Sequence, residues 1–524
     1  MRRELGFWEL TGIGFSNIVG SGWLFAAMYA AQTAGPASLL SWVGAGLLCG
    51  LIALVMIELG ASRPEGGATV RWPLFASGRL VGTLIGWSTL LSVGGTAAEI
   101  SAIMQYAAHY LPGLYHGGTL TASGLAAAAA LSTVLTAFNW FAVRWFARLN
   151  TLISVFKVIV PLLTVAALIA SGWHTGRLTG HGGFAPYGYA ACLSALAGGG
   201  IVYSVNGFQA ALDFSGETRS PRRTVPVAVL GGIALAVAMY LALQTAFLFT
   251  VPERLLGHGW RGVSFDSPFG QLALVLNLHW LSSLLYADAV VSPGGSAYVG
   301  VALDARHTYA LAKNGLFPRY LMKVDERFGV PRRALAVNLA VILVFLLPLG
   351  GWQSIVSVMG DMYLLIYASS AVAVAVFRSR DGGTAGWAPG LRWIAPLSFV
   401  VAGEFVYWSG WHDLRLALPL VLCGLLVFFV QRRPDAHRAP GTARGLTAEV
   451  RDGLWLVVYL AALTALSRLG TFGGSALLPA PYDSVAVGVL ALAVFFWAVR
   501  SGVRSGGAGE GGAGVGAAGV RPSG

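Results

Sequence analysis

Lys157 is the side chain least at home in its surroundings. The chain has three lysines, Lys157, Lys313 and Lys323, and Lys157 alone falls inside an apolar run, from about 149 to 170. About eight residues in, it lies roughly 12 Å from the nearer end of a helix, while its side chain reaches only about 6 Å. A lysine at mid-membrane costs about 2.5–3.5 kcal/mol on an insertion scale, so it is expected to face a cavity or a partner. An amine so placed is suited to giving up and regaining a proton. Snorkelling to the interface and purely structural pairing remain open. Acids also fall in apolar runs: Glu58, Glu99, Asp213, Asp288, Asp361 and Glu404. Asp288 and Ser292 are expected to approach Lys157 from a facing helix. Glu58 and Asp213, near helix ends, are expected to pair with loop arginines. Glu99 and Asp361 are read as a relay or as structural ion pairs, and Glu404 has no assigned role.

Two apolar runs carry residues that weaken a helix. GIGFSNIVGSGWLF, Gly12 to Phe25, contains Gly12, Gly14, Ser16, Asn17, Gly20, Ser21 and Gly22 inside a run from about 7 to 31. LAGGGIVYSVNGFQ, Leu196 to Gln209, contains Gly198, Gly199, Gly200, Asn206 and Gly207. Glycine costs backbone entropy in a helix, and Ser and Asn compete for its hydrogen bonds. In lipid a helix opens only where protein or a watery cavity covers the break. There, freed N–H groups can hold a carboxylate, and freed C=O groups a cation or an ammonium. Close helix packing is the alternative, since Ser16-xxx-Gly20 has the small-xxx-small spacing. A matched pair of interrupted runs in two halves of a chain points to a binding site at the interface of inverted repeats.

The elements that must position these residues are membrane helices. Of 524 residues, 56% are hydrophobic and 11% charged, and mean hydropathy is +0.69. Globular chains carry about 25% charged residues. Twelve spans are expected, at 7–31, 37–61, 80–108, 121–142, 149–170, 188–212, 226–250, 270–303, 334–349, 354–377, 391–410 and 414–430, with two more at 453–468 and 484–499. With the N-terminus inside, about 28 of the basic residues fall in cytoplasmic loops and about 5 outside, namely Arg177, Arg254, Arg261, Arg415 and Arg468. Both ends are therefore expected in the cytoplasm of a multi-pass cell-membrane protein. The net charge of +12 is a topology signal, not a nucleic-acid footprint. Residues 432–451 read as a cytoplasmic linker and 501–524 as a disordered tail. No cleavable leader is expected. Cys49, Cys192 and Cys423 have no metal spacing or disulfide pattern and read as small core residues. The histidines show no metal motif and no phosphate loop appears, so no cofactor or metal is expected.

At this point the motifs resemble a known family. GIGFSNIVGSGWLF is similar to the first-helix motif of the amino acid–polyamine–organocation (APC) permeases. PEGGATVRWP (Pro64 to Pro73) resembles their loop after span two. NGFQAALDFSGETRSPRRTVPVAV (Asn206 to Val229) resembles their span six and the following loop, and SPGGSAYVGVALDARHTYALAKNGLFP (Ser292 to Pro318) their span eight. The GSGW form and GFQAALDFSGET are nearest to the aspartate–proton symporter branch.

The resemblance implies an all-α polytopic protein with a LeuT-like 5+5 inverted repeat, broken helices one and six, and about fourteen transmembrane helices. The repeats would be 1–170 and 188–377, followed by peripheral helices at 391–430 and a linker with two further helices at 432–500. It implies that backbone N–H groups around Ser21, Gly22 and Trp23 hold a substrate carboxylate. Carbonyls near Ile18 and in Gly198–Ser204, with Gly199 among them, would take the α-ammonium. Asn17, Ser21, Tyr203, Asn206 and Phe208 would line the pocket, Phe208 as an outer lid. Some proton-coupled members carry a span-five lysine in place of a sodium ion between spans one and eight, and Lys157 matches that position. Exchangers and facilitators carry it too. Gln209 stands where cation-selective members often have Glu, which favours neutral or acidic amino acids. No arginine is visibly placed for an acidic side chain. The expected function is proton-coupled amino acid uptake by alternating access, with the amino acid, the proton and the lipid bilayer as partners and no enzymatic activity. Amino acid exchange and a permease-like nutrient sensor are the alternatives.

Overall fold

The computed structural model describes residues 6–63, 68–141, 143–325, 327–349, 351–381, 390–431 and 445–506. Pro64–Gly67 of the second motif and residues 507–524 of the tail lie outside the described residues.

The described chain is predominantly helical. The first run forms α1 (Phe7–Ile18) and α2 (Gly22–Ala34), followed by α3 (Ser38–Ser62). Then come α4 (Ala68–Leu91), α5 (Gly94–Ala107), α6 (Ala122–Phe141) and α7 (Val143–Ser171). The second broken run forms α8 (Ala190–Ala197), α9 (Ile201–Val205) and α10 (Gln209–Asp213). They are followed by α11 (Pro221–Thr250), α12 (Pro268–Val275), α13 (His279–Lys313), α14 (Arg332–Leu349) and α15 (Trp352–Arg380). The last five are α16 (Leu391–Trp408), α17 (Trp411–Leu422), α18 (Gly424–Gln431), α19 (Leu446–Leu469) and α20 (Tyr482–Gly506). A small hairpin, β1 (Tyr115–His116) with β2 (Thr119–Leu120), qualifies the all-α expectation.

Nine helical stretches among the described residues are long and apolar enough to cross a membrane, ten if the bent pair Ala190–Ala197 and Ile201–Asp213 counts as one. The expected fourteen is larger. The break halves the first run into helices of 12 and 13 residues, and α13 carries acids and hydroxyls through its middle. One boundary holds and one moves. The third span starts after a kink at Gly78 (φ +83°) that sets Ala68–Ser77 apart. The eighth is α13 alone, because Leu276–Leu278 separates it from the short α12. At the C-terminal end, α20 continues to Gly506, so Ser501–Gly506 is helix and not tail. The linker likewise gives way to helix at Leu446. Cys49 and Cys192 are buried as expected, but Cys423 is exposed.

Burial sorts the helices. The best window of Thr69–Ala107 is 94% buried, whereas those of α6 and α7 are 28% buried. α13 packs on α5 and α7, α11 on α1 and α3, and α15 on α4, α5 and α16. α19 and α20 pack on each other, on α4 and with α16, outside this centre. On α7 the apolar side chains Phe156, Ile159 and Leu162 are exposed, while Lys157, Val160 and Thr164 are buried. Three- and four-residue spacing puts that second set on one inward face, and this is what turns Lys157 toward the broken helices.

Candidate functional site

The first run is broken where glycine and serine interrupt it, the second where glycine and asparagine do. In the first, Val19, Gly20 and Ser21 are unwound. The carbonyls behind this break lose their helical donors, and side chains from distant helices replace them. Lys157 Nζ donates to Ser16 O (2.7 Å) and to Ser296 Oγ (2.6 Å). Ser296 Oγ in turn donates to Val19 O (3.5 Å), and Tyr240 OH to Ile18 O (3.2 Å). On the other side of the break, the Ser21 N–H donates to Glu99 Oε2 (2.8 Å). Glu99 Oε1 accepts from Tyr203 OH (3.2 Å). A carboxylate thus sits at the N-terminus of α2, where the backbone dipole favours negative charge, and it belongs to the chain itself.

The second run opens twice. Gly200, at φ +76°, separates α8 from α9, and the two halves meet at 52°. Asn206 is extended and Gly207 has φ +112°, a left-handed value that favours glycine. Gly207 also presses on the first break: a Cβ there would lie 2.5 Å from Asn17 O. Asn17 Nδ2 donates to Gly207 O (3.1 Å), and the Gly207 N–H to Gln209 Oε1 (2.9 Å). Tyr367 OH donates to Asn206 Oδ1 and lies 2.9 Å from Gln209 Oε1. Asn206 Nδ2 is buried without a hydrogen-bond partner among the described residues.

A cavity of about 110 Å³ lies between the two breaks. Asn17, Ile18, Gly20 and Gly22 form one wall, and Tyr203, Ser204, Asn206, Gly207 and Gln209 another. Thr89, Ser92, Thr96 and Glu99, with Ser296, Asp304, Tyr363 and Tyr367, are among its other lining residues. At one end it reaches Asp213 and His307, beside Arg71, Arg306 and Lys313. The opposite end is covered by rings: Trp352 stacks on Phe25 (4.8 Å) and Tyr29 (5.8 Å), with Tyr203 edge-on (6.1 Å). Trp352 Nε1 donates to Ser21 Oγ (2.7 Å), which ties this cover to the first break.

Of the residues expected at the site, Asn17, Ile18, Gly22, Tyr203, Asn206 and Gln209 line the cavity. Ser21 touches it only through Glu99 and Trp352. Trp23 packs on Phe269 (5.8 Å). Gly199 is held by close packing, since a Cβ would lie 2.4 Å from Ala195 O. Phe208 is not the outer lid: it is buried against Tyr367 (5.2 Å), and the rings around Trp352 cover that end. Asp288 and Ser292 bond each other (2.9 Å) and lie off the cavity wall. Asp213 pairs with His307 (2.9 Å) and Thr69 (2.9 Å) instead of an arginine. Asp361 accepts from Ser409 Oγ (3.3 Å), away from the breaks. Sequence reasoning missed Ser296, Tyr367 and Trp352, and left Glu99 undecided. Ser296 was within reach, being one helical turn beyond Ser292.

The family model described as amino acid permease matches residues 5–439. The chain belongs to the amino acid permease family. The permease is 35% identical over 517 residues to the glutamate/serine transporter AimA of Bacillus subtilis, covering 96% of this chain and 95% of that one. It is 32% identical over 510 residues to the aspartate-proton symporter of the same organism, covering 96% and 97%. Its match to the branched-chain amino acid permease BcaP of that organism is 25% over 451 residues. With its apolar helices, the permease is a multi-pass membrane protein of the APC superfamily, and its relatives transport amino acids.

Proposed function

We propose that the permease takes up an acidic or small neutral amino acid together with a proton, by alternating access in the cell membrane with both termini cytoplasmic. The substrate class follows the printed functions of its full-length relatives, a glutamate/serine transporter and an aspartate-proton symporter. Residues 1–170 and 188–377 would be the two inverted repeats of a LeuT-like core of fourteen helices, with 391–430 and 432–500 peripheral. The two broken helices, facing each other across one cavity, support that reading.

The observation that carries the proton coupling is Lys157. Its ammonium lies against Ser16 O and Ser296 Oγ, between α1 and α13, where bare carbonyls would otherwise require a bound cation. Charged, it holds the two helices together; neutral, it loosens them. A proton on Nζ therefore couples to the geometry of the break. Asn206 Nδ2, buried on the cavity wall with a free donor, is the group we assign to a substrate oxygen, together with the Gly22 and Trp23 N–H groups at the start of α2. Glu99 already holds the Ser21 N–H, so an arriving carboxylate shares that helix end with it or displaces it.

The test is uptake of labelled aspartate, glutamate and serine into proteoliposomes under imposed pH or sodium gradients, with Lys157→Ala alongside. Accumulation driven by the pH gradient, and at least tenfold lower in the variant, is expected. Counterflow without gradient-driven accumulation would make the protein an exchanger instead.

A further inference from the structure

The buried polar groups do not stop at the cavity. Asp288, Ser292 and Ser296 recur every four residues on α13, so they share one face and are separated by about 6 Å per step. Ser296 Oγ takes the ammonium of Lys157 (2.6 Å), and Ser292 Oγ donates to Asp288 Oδ1 (2.9 Å). Asp288 is fully buried, and its Oδ2 has no hydrogen-bond partner among the described residues. A buried carboxylate with one bare oxygen is costly while ionised, and a proton on Oδ2 removes that cost. Neither Asp288 nor Ser292 lines the cavity.

From Asp288 the same helix continues to the surface away from His307. Tyr286, two residues earlier, is largely buried and stacks on the exposed His109 (4.4 Å). Tyr106 lies edge-on to Tyr286 (5.7 Å) and is also buried. The titratable groups that act on Asp288 are Lys157 from α7 and Tyr106 from α5; Tyr286 precedes it by two residues on its own helix, and α12 brings none among the described residues. The break-side cluster thus holds two carboxyls, Glu99 and Asp288, against one ammonium. With all three ionised the cluster has a net charge of −1, and one proton makes it neutral.

We propose that Asp288 is the proton-loading carboxyl of the permease, and that the Asp288–Ser292–Ser296 face of α13 hands the proton to Lys157 along a route that meets the substrate cavity only at Ser296. This rests on the proton-coupled reading above. The proton enters at Asp288 Oδ2 from the side of His109 and Tyr286. Each hydroxyl first turns, Ser292 from Asp288 Oδ1 and Ser296 from Val19 O; with a water bridging the roughly 6 Å between them, each then releases one proton as it accepts another, ending on the lone pair of a neutral Lys157 Nζ. Asp288 is left as a carboxylate and Lys157 as an ammonium bound to Ser16 O, so one proton is carried per cycle.

Asp288→Asn is the deciding variant, measured in proteoliposomes with whichever of labelled aspartate, glutamate or serine the wild type accumulates. Accumulation driven by a pH gradient should fall at least tenfold, and substrate-dependent proton entry, read by an internal pH dye, should vanish. Counterflow should stay within about twofold of the wild type, Asp288→Glu should retain driven uptake, and Ser292→Ala should slow it severalfold. Wild-type driven accumulation by Asp288→Asn overturns the route while leaving proton coupling in place. Loss of counterflow in a variant that still elutes as a single species also overturns it, because Asp288 would then serve turnover itself. A wild type indifferent to the pH gradient removes the coupling and the route together.

Discussion

The two breaks solve one problem in opposite ways. Each leaves backbone groups without helical partners at a depth where water is scarce. At the first, ionisable side chains from other helices fill both sides, Lys157 on the carbonyls and Glu99 on the Ser21 N–H. At the second, the groups are neutral: the nearby Gln209 serves the Gly207 N–H, and the distant Asn17 and Tyr367 serve Gly207 O and Asn206 Oδ1. The first break is therefore held by groups that can gain or lose a proton. The second is set by shape, through a glycine against a backbone. A transporter that couples a proton to a solute gains from this split, since charge can change at one break without dismantling the other.

The sharpest way to break the comparison is to disturb shape alone. Gly207→Ala forces φ +112° on a residue with a side chain and drives its Cβ to 2.5 Å from Asn17 O, which is backbone and cannot yield. We expect a loss of roughly 3 kcal/mol, read as a large fall in thermal midpoint or as failure to elute as a single species. Gly20→Ala meets Glu99 Oε1, also at 2.5 Å, but that is the end of a side chain that can swing aside, so the fall should be clearly smaller. Equal losses would erase the distinction between the breaks.

Next in size is the charge at the first break. Glu99→Ala strands the buried Ser21 N–H and should cost roughly 1.5–3 kcal/mol, whereas Glu99→Gln keeps an acceptor there and should recover most of it. Thermal midpoints of the two variants check this, and a Gln variant as unstable as the Ala variant would show that charge, not hydrogen bonding, holds the break. Smallest is the cover. Trp352→Phe keeps the stack on Phe25 and Tyr29 but removes the bond to Ser21 Oγ, for about 0.5–1.5 kcal/mol. No change in midpoint would show that stacking alone keeps that end closed.

Much of this was legible in advance for a local reason. Glycine, serine and asparagine in an apolar run weaken a helix wherever it ends up, so both breaks could be placed from composition. A lone lysine among leucines and valines is expected to face a cavity or a partner, with snorkelling as the alternative, and Lys157 is buried. The failures share a cause as well. Phe208 reads as an outer lid in the sequence, but the direction of a side chain beside a break depends on the torsions of Asn206 and Gly207. Glu99 and Asp361 look alike in sequence, as acids in apolar runs. Only the packing of α5 against α2 brings Glu99 to the Ser21 N–H, while α15 carries Asp361 to Ser409. Asp213 lies four residues from Gln209 yet meets His307, 94 residues on.

What the chain's composition and spacing determined was a helical membrane protein with two weakened helices and one inward lysine, because those properties follow from local backbone cost and from the expense of charge in lipid. Which groups complete each break was decided by the tertiary fold. Partners such as Glu99, Ser296 and Trp352 come from helices far along the chain, and no local pattern encodes which of their faces meet.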